Sequence, residues 1–182
     1  MIFHPKEITL KNGKKAILKT PEISDAAGML AYIKKACGET DLLLRTPEEW
    51  EAVTLEKEEK WVKNQRESKN TLAITCFIDG EIAGNCEISF RSGTKTRHRA
   101  VVGIAILQKF WNLGIGTAMM QYLEELARQI GYEQIELEVV DGNDTAKRLY
   151  EKCGFVETGK QARALKYDDG TYRDEILMIK VL

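Results

Sequence analysis

Along the chain, short runs with alternating apolar and polar residues give way to longer runs with apolar residues three and four positions apart. The two periods separate strands from helices. Ile8-Thr9-Leu10-Lys11 and Ala16-Ile17-Leu18 flank Asn12-Gly13, which predicts a hairpin whose tight two-residue turn takes its positive φ angles from Asn-Gly. Ser24 can cap a helix to about residue 36, with Met29, Leu30 and Ile33 on one face. Thr46-Pro47-Glu48-Glu49 is a capping box with proline at the first helical position. Thr54 then starts a charged helix that ends near Ser68, and its run 56–60 reads as a solvated face.

Three strands follow: 71–78, 81–91 beyond an Asp79-Gly80 turn, and 99–107 after the polar turn 92–97. The third is almost wholly apolar, the pattern of a strand buried on both faces. From Gly116, the residues Met119, Tyr122, Leu123, Leu126, Ala127 and Ile130 recur at helical steps, and Gly131 ends the helix. Residues 134–139 form another strand, 143–153 a helix closed by Gly154, and the tail two strands joined around Asp169-Gly170. The central strand–helix–strand requires a parallel pair with a right-handed crossover, and the remaining strands read as hairpins. The expected fold is α/β (α+β): a mixed, largely antiparallel sheet flanked by helices. With three prolines, no Ser/Gly-rich tract and no repeat, residues 1–182 are expected to form a single domain.

Composition narrows the function. A 43% hydrophobic and 30% charged chain is not disordered. Lys+Arg is 27 against Asp+Glu 28, a net charge of −1, so no global field attracts nucleic acid or an acidic membrane, and neither is an expected partner. The apolar run 100–107 is far shorter than the roughly 20 residues a bilayer requires, and Met1-Ile2-Phe3-His4-Pro5 carries no apolar secretory segment. Cys37, Cys76, Cys86 and Cys153 are scattered, and His4 and His98 lie far apart. The expectation is four reduced cytoplasmic thiols and no metal.

The chemistry concentrates in Trp111-Asn112-Leu113-Gly114-Ile115-Gly116-Thr117, between an apolar strand and an amphipathic helix. Glycines let backbone N–H groups approach a ligand, and the unsatisfied N–H groups and dipole of a helix start favour phosphate. A helix that merely starts with glycines remains the plain alternative. A Walker loop is absent, and the dinucleotide fingerprint G-x-G-x-x-G fails at Met119.

Residues 111–116 resemble the pyrophosphate loop [QR]-x-x-G-x-[GA] of the GCN5-related N-acetyltransferases, with Trp111 standing where that family has Gln or Arg. A second block agrees. Ile135-Glu136-Leu137-Glu138-Val139, Asn143-Asp144-Thr145-Ala146 and Leu149-Tyr150-Glu151-Lys152-Cys153-Gly154-Phe155 follow the family pattern L-x-V, N-x-x-A, L-Y-E-x-x-G-F. The resemblance implies a GNAT-like acyl-CoA N-acyltransferase fold. It implies direct transfer of acetyl from acetyl-CoA to a primary amine in a ternary complex, with homodimers common.

By the same resemblance, Trp111, Asn112, Leu113, Gly114, Ile115, Gly116 and Thr117 hold the pyrophosphate. Ile104 and Ile106 bond the pantetheine arm through their backbone, and Asn143, Ala146 and Tyr150 contact the coenzyme. Tyr150 takes the general-acid position, against a packed aromatic as the alternative; Asn143 also suits a helix N-cap. Glu138 is the first choice of general base, on the strand face opposite Ile135, Leu137 and Val139. Glu87, His98 or a water relay stand in reserve. The loop 38–45 and the hairpin 166–172 would frame the acceptor, with Glu39, Asp41, Arg45 and Tyr167. Peptide N-termini, polyamines, amino acids and aminoglycosides all remain open as acceptors, with a slight tilt towards ribosomal-protein N-termini. A coenzyme A-binding sensor without turnover is the competing reading, and a different phosphate binder, such as a nucleotide enzyme, a third.

Overall fold

The computed structural model describes residues 1–182. In chain order it contains β1 (Lys6–Thr9), β2 (Lys15–Lys19), α1 (Ala26–Gly38), α2 (Pro47–Glu51), α3 (Leu55–Glu67), β3 (Thr71–Ile78), β4 (Glu81–Phe90), β5 (Arg99–Ile106), α4 (Ile115–Ile130), β6 (Gln134–Val140), α5 (Asp144–Lys152), β7 (Val156–Lys166) and β8 (Tyr172–Val181). The strands form one sheet in the order β1-β2-β3-β4-β5-β6-β8-β7. β5 and β6 run parallel, over Arg99–Val101 and Gln134–Glu136, while β1–β2, β2–β3, β3–β4, β6–β8 and β7–β8 are antiparallel. This is the mixed, largely antiparallel α+β sheet expected. No helix is long and apolar enough to cross a membrane.

Two compact units divide the chain. The first comprises Met1–Ser89 with Gly103–Met119. Its core joins Ala26, Met29, Tyr32 and Ala36 of α1 to Val62 of α3, Ile82 of β4 and Leu107. Local chemistry sets the helix starts. Thr46 and Glu49 close the predicted capping box, and the Thr54 hydroxyl accepts from Lys57 N–H. Asp79 and Gly80 both have positive φ, 51° and 83°, as a two-residue turn requires.

Four local expectations are corrected in this unit. The Asn12-Gly13 hairpin is wider than a two-residue turn: only Gly13 has positive φ, and Leu10 N–H bonds Lys14 O while Gly13 N–H bonds Leu10 O. The N-cap of α1 is Asp25 rather than Ser24. Glu22 N–H donates to the Asp25 carboxylate across a single 3₁₀ turn, and α1 runs on to Gly38. The solvated run 56–60 holds one exception, because Glu58 turns inward with Val62 and Gln65 on one face of α3. Finally, β5 is not buried on both faces: Ile104, Ala105 and Ile106 are half-exposed and Gly103 is exposed. Apolar side chains left open at a strand's end form a surface that an apolar ligand can cover.

The second unit comprises Phe90–Val102 with Met120–Leu182. Helix α4 buries Met120, Leu123, Leu126 and Ala127, and β6 buries Ile135, Leu137 and Val139. Lys180 of β8 donates to the Glu124 carboxylate on α4 and to Cys153 O beyond α5. Glu136, on the other face of β6, is gripped by Arg99, by Gln134 and more distantly by Arg91. Burial pushes the Glu136 carboxyl up, but the Arg99 hydrogen bond and charge outweigh it, so the net shift is below the usual value. A carboxylate whose folded pKa lies below its unfolded one adds stability above about pH 4.3 and loses it as pH falls through the folded value. Thermal scans between about pH 7 and pH 3 should therefore show Tm falling less steeply for Glu136→Gln than for wild type. Parallel slopes would remove this cluster from the acid response.

Candidate active site

In the first unit, β5 delivers the chain through a 3₁₀ turn at Gln108–Phe110 to the glycine loop and α4. Trp111 turns back, and its indole N–H donates to Ile106 O at 2.7 Å. The side chain that departs from the family pattern thus has a partner within its own segment. Asn112 and Gly114 take positive φ, 62° and 91°, conformations that glycine and asparagine tolerate best. Lys11 N–H holds the loop from outside through Leu113 O at 3.1 Å. The first helical bond runs from Ala118 N–H to Gly114 O, which leaves the N–H groups of Ile115, Gly116 and Thr117 ahead of the intrahelical ladder. They sit at the positive end of a 16-residue helix, an arrangement suited to a diphosphate. Ile104, Ile106 and residues 111–117 therefore lie in one continuous segment.

Of the acceptor-loop residues, Glu39 is engaged. Its carboxylate accepts from Gln108 N–H at 2.7 Å, and its carbonyl accepts from the Gln108 side chain at 2.6 Å. Arg45 lies over the Trp50 ring at 5.0 Å, and Asp41 is exposed. Glu87 is half-buried on β4 and accepts from the Gln65 amide at 3.0 Å. Burial raises its carboxyl pKa, and the bonds from Gln65 and Ser89 only partly oppose this.

The second unit carries Glu138, Asn143, Ala146 and Tyr150 on β6 and the turn into α5. Asn143 is the N-cap, its Oδ1 accepting from Ala146 N–H at 3.2 Å. Tyr150 is buried, its ring tilted against Phe155 at 6.0 Å between centroids. Burial, reinforced by Cys153, pushes its hydroxyl pKa up to about 12. Glu138 is exposed, opposite Leu177, and its charge adds to the burial that raises the Glu175 carboxyl. His98 is half-buried, and its carbonyl accepts from Glu133 and Gln134 N–H. In the last hairpin, Arg173 lies over the Tyr167 ring at 5.1 Å. All four cysteines are free thiols. Burial raises the pKa of each, so none is primed as a nucleophile.

Sequence reasoning missed Tyr32 and Gln65. The signal for Gln65 was the spacing Glu58-Val62-Gln65, polar groups on the inward face of a charged helix. That for Tyr32 was a hydroxyl within the apolar stripe of α1.

Residues 39–155 match the Acetyltransferase (GNAT) family. The L-amino acid N-acetyltransferase AaaT of Escherichia coli K12 is 27% identical over 123 residues, covering 66% of this chain and 75% of that protein. An N-alpha-acetyltransferase of Sulfurisphaera tokodaii is 31% identical over 110 residues, 56% of this chain and 64% of the relative, so the match spans just under two thirds of that protein. The crystal structure of a GNAT-family acetyltransferase from Streptococcus pneumoniae superposes with a TM-score of 0.85 at 29% identity, over 92% of this chain and 99% of that one. With the glycine loop, the capped α5 and most of the chain between them inside the matched span, the protein belongs to the GNAT acetyltransferase family.

Proposed function

We propose that this acetyl-CoA-dependent acetyltransferase moves the acetyl group to a primary amine, and specifically to the α-amino group of an amino acid or peptide. Acceptor and coenzyme react in one ternary complex. The amine nitrogen attacks the thioester carbonyl, the C–N bond forms and the C–S bond breaks. The amine releases a proton to a base, and the thiolate takes one from an acid. The observation that carries this reading is Tyr150, a buried hydroxyl that stays protonated at neutral pH and so can donate.

The residues fit the co-substrate. Unpaired N–H groups at Ile115, Gly116 and Thr117 suit its diphosphate, with Asn112, Leu113 and Gly114 shaping the loop. The half-exposed apolar end of β5, with Ile104 and Ile106, suits its pantetheine arm. Asn143, the cap of α5, and Ala146 within it are further proposed coenzyme contacts. Glu138 is the proposed base, with Glu87 in reserve. Exposure keeps Glu138 accessible to an incoming amine, whereas burial raises the proton affinity of Glu87. The names of the two relatives support the acceptor, one acting on L-amino acids and the other on N-alpha groups. The family match covers residues 39–155, and reading residues 1–182 as one catalytic domain extends it to the rest of the chain. Four free thiols support a cytoplasmic setting.

Calorimetry and thiol release test the assignment. Coenzyme A is expected to bind while ATP and NAD do not, and acetyl-CoA is expected to release thiol with amino acids or peptides. Preference for either nucleotide would overturn the coenzyme reading. Coenzyme binding without turnover on any amine would make the protein a sensor instead. Glu138→Gln and Glu87→Gln, compared at one pH, identify the base by which of them loses turnover.

A further inference from the structure

The end of β5 is held by side chains rather than by strand pairing alone. The Tyr32 hydroxyl donates to Ala105 O at 2.7 Å and accepts from Asn85 N–H at 3.1 Å. A phenol from α1 thus links β4 to β5 within the sheet. Its ring is 5% exposed and packed in the core of the first unit. Burial pushes its pKa up, so the hydroxyl keeps its proton and both bonds. Asn85 is itself oriented by Thr75, whose hydroxyl meets its side-chain oxygen at 2.9 Å.

The neighbouring contacts follow the same plan. A Cβ on Gly84 would come within 2.9 Å of Ala105 O, so glycine is what lets β5 lie this close to β4. Beyond that contact, Leu107 N–H bonds Ala83 O at 3.0 Å. Because the N–H and C=O of one strand residue face the same edge, and those of the next face the other, fixing Ala105 towards β4 points the polar groups of Ile104 and Ile106 to the opposite edge. There, Ile106 O is already engaged by the Trp111 indole.

We infer that Tyr32 is a positioning residue for the coenzyme's pantetheine arm: its hydroxyl bridge between Asn85 and Ala105 sets the backbone of Ile104 and Ile106 at the edge where the arm's amides bond. The inference rests on the reading of β5 as the pantetheine strand. Without the hydroxyl, Asn85 N–H and Ala105 O either close directly onto each other, which moves β5, or stay unpaired, which leaves this end of β5 less firmly held.

The test compares Tyr32→Phe with wild type for two ligands, coenzyme A and adenosine bisphosphate, the coenzyme's nucleotide with one phosphate of its diphosphate and without the arm. Coenzyme A should bind Tyr32→Phe about fivefold to tenfold more weakly, as expected for losing about one well-aligned hydrogen bond, with KM for acetyl-CoA rising in step. Adenosine bisphosphate should bind both proteins equally, since its loop is untouched. Equal weakening of both ligands would mark a general structural defect and overturn the inference, as would no weakening of either. Wild type that binds neither ligand would instead overturn the coenzyme reading beneath it. Amide exchange on wild type gives an answer independent of the variant's folding. Coenzyme A should slow exchange at Asn85 N–H and adenosine bisphosphate should not; the same exchange with both would overturn the inference.

Discussion

Tyr150→Phe is expected to lower kcat by about a hundredfold or more while leaving coenzyme A affinity within about twofold, the signature of losing a general acid. The departing thiolate has a solution pKa near about 8.5, so at neutral pH it leaves better when protonated as it departs. The Tyr150 hydroxyl is neutral at pH 7, its pKa pushed up to about 12 by burial, and so can donate a hydrogen bond to the departing sulfur. The phenylalanine variant keeps the ring that packs on Phe155 and leaves the Asn143 cap of α5 intact. Folding and coenzyme binding should therefore survive. The pH profile adds a second check: wild type should show no alkaline fall in kcat from this group until pH approaches about 12. An unchanged kcat in Tyr150→Phe, under conditions where chemistry limits turnover, would return Tyr150 to a packing role.

What could be read from the residues alone was whatever neighbouring residues decide among themselves. The Thr46 and Thr54 caps and the Asp79-Gly80 turn each depend on a few adjacent residues, and each stands where expected. The Asn12-Gly13 turn failed because its shape is shared with distant chain: Lys11 N–H is held by Leu113 O, about a hundred residues on. The same limit hid the partners of Glu39 and Tyr32, which lie 69 and 73 residues away. Periodicity gave β5 its strand but not its exposure, since a fully apolar run looks alike beneath a helix and beneath a ligand. The inward turn of Glu58 was invisible for a related reason. A charged residue on a charged helix carries no mark of which face it occupies until α1 and α3 pack.

An α-amine acceptor should be favoured over a lysine ε-amine of equal fit when the two are compared at pH 7. Attack requires the neutral amine, and that requirement weighs unequally on the two. Deprotonation at pH 7 costs about 1 kcal/mol for an α-amine near pKa 7.8 and about 4.6 kcal/mol for a lysine near pKa 10.4. The free fraction therefore differs by about 400-fold. The more basic lysine is the better nucleophile once free, which narrows the gap without reversing it, so a net preference of at least about tenfold in kcat/KM is expected. With an α-amine, kcat/KM should climb with pH and level off near about pH 7.8, whereas with a lysine acceptor it should keep climbing towards about pH 10. The exposed Glu138 suits the first case, because an amine already partly neutral asks little of its base. Glu138→Gln should then cost no more than about tenfold with an α-amine acceptor. A lysine preference at pH 7, with no larger loss in Glu138→Gln, would mean the site deprotonates a strongly basic amine through another group. The half-buried Glu87, with its raised proton affinity and its Gln65 partner, would then be the better candidate for the base.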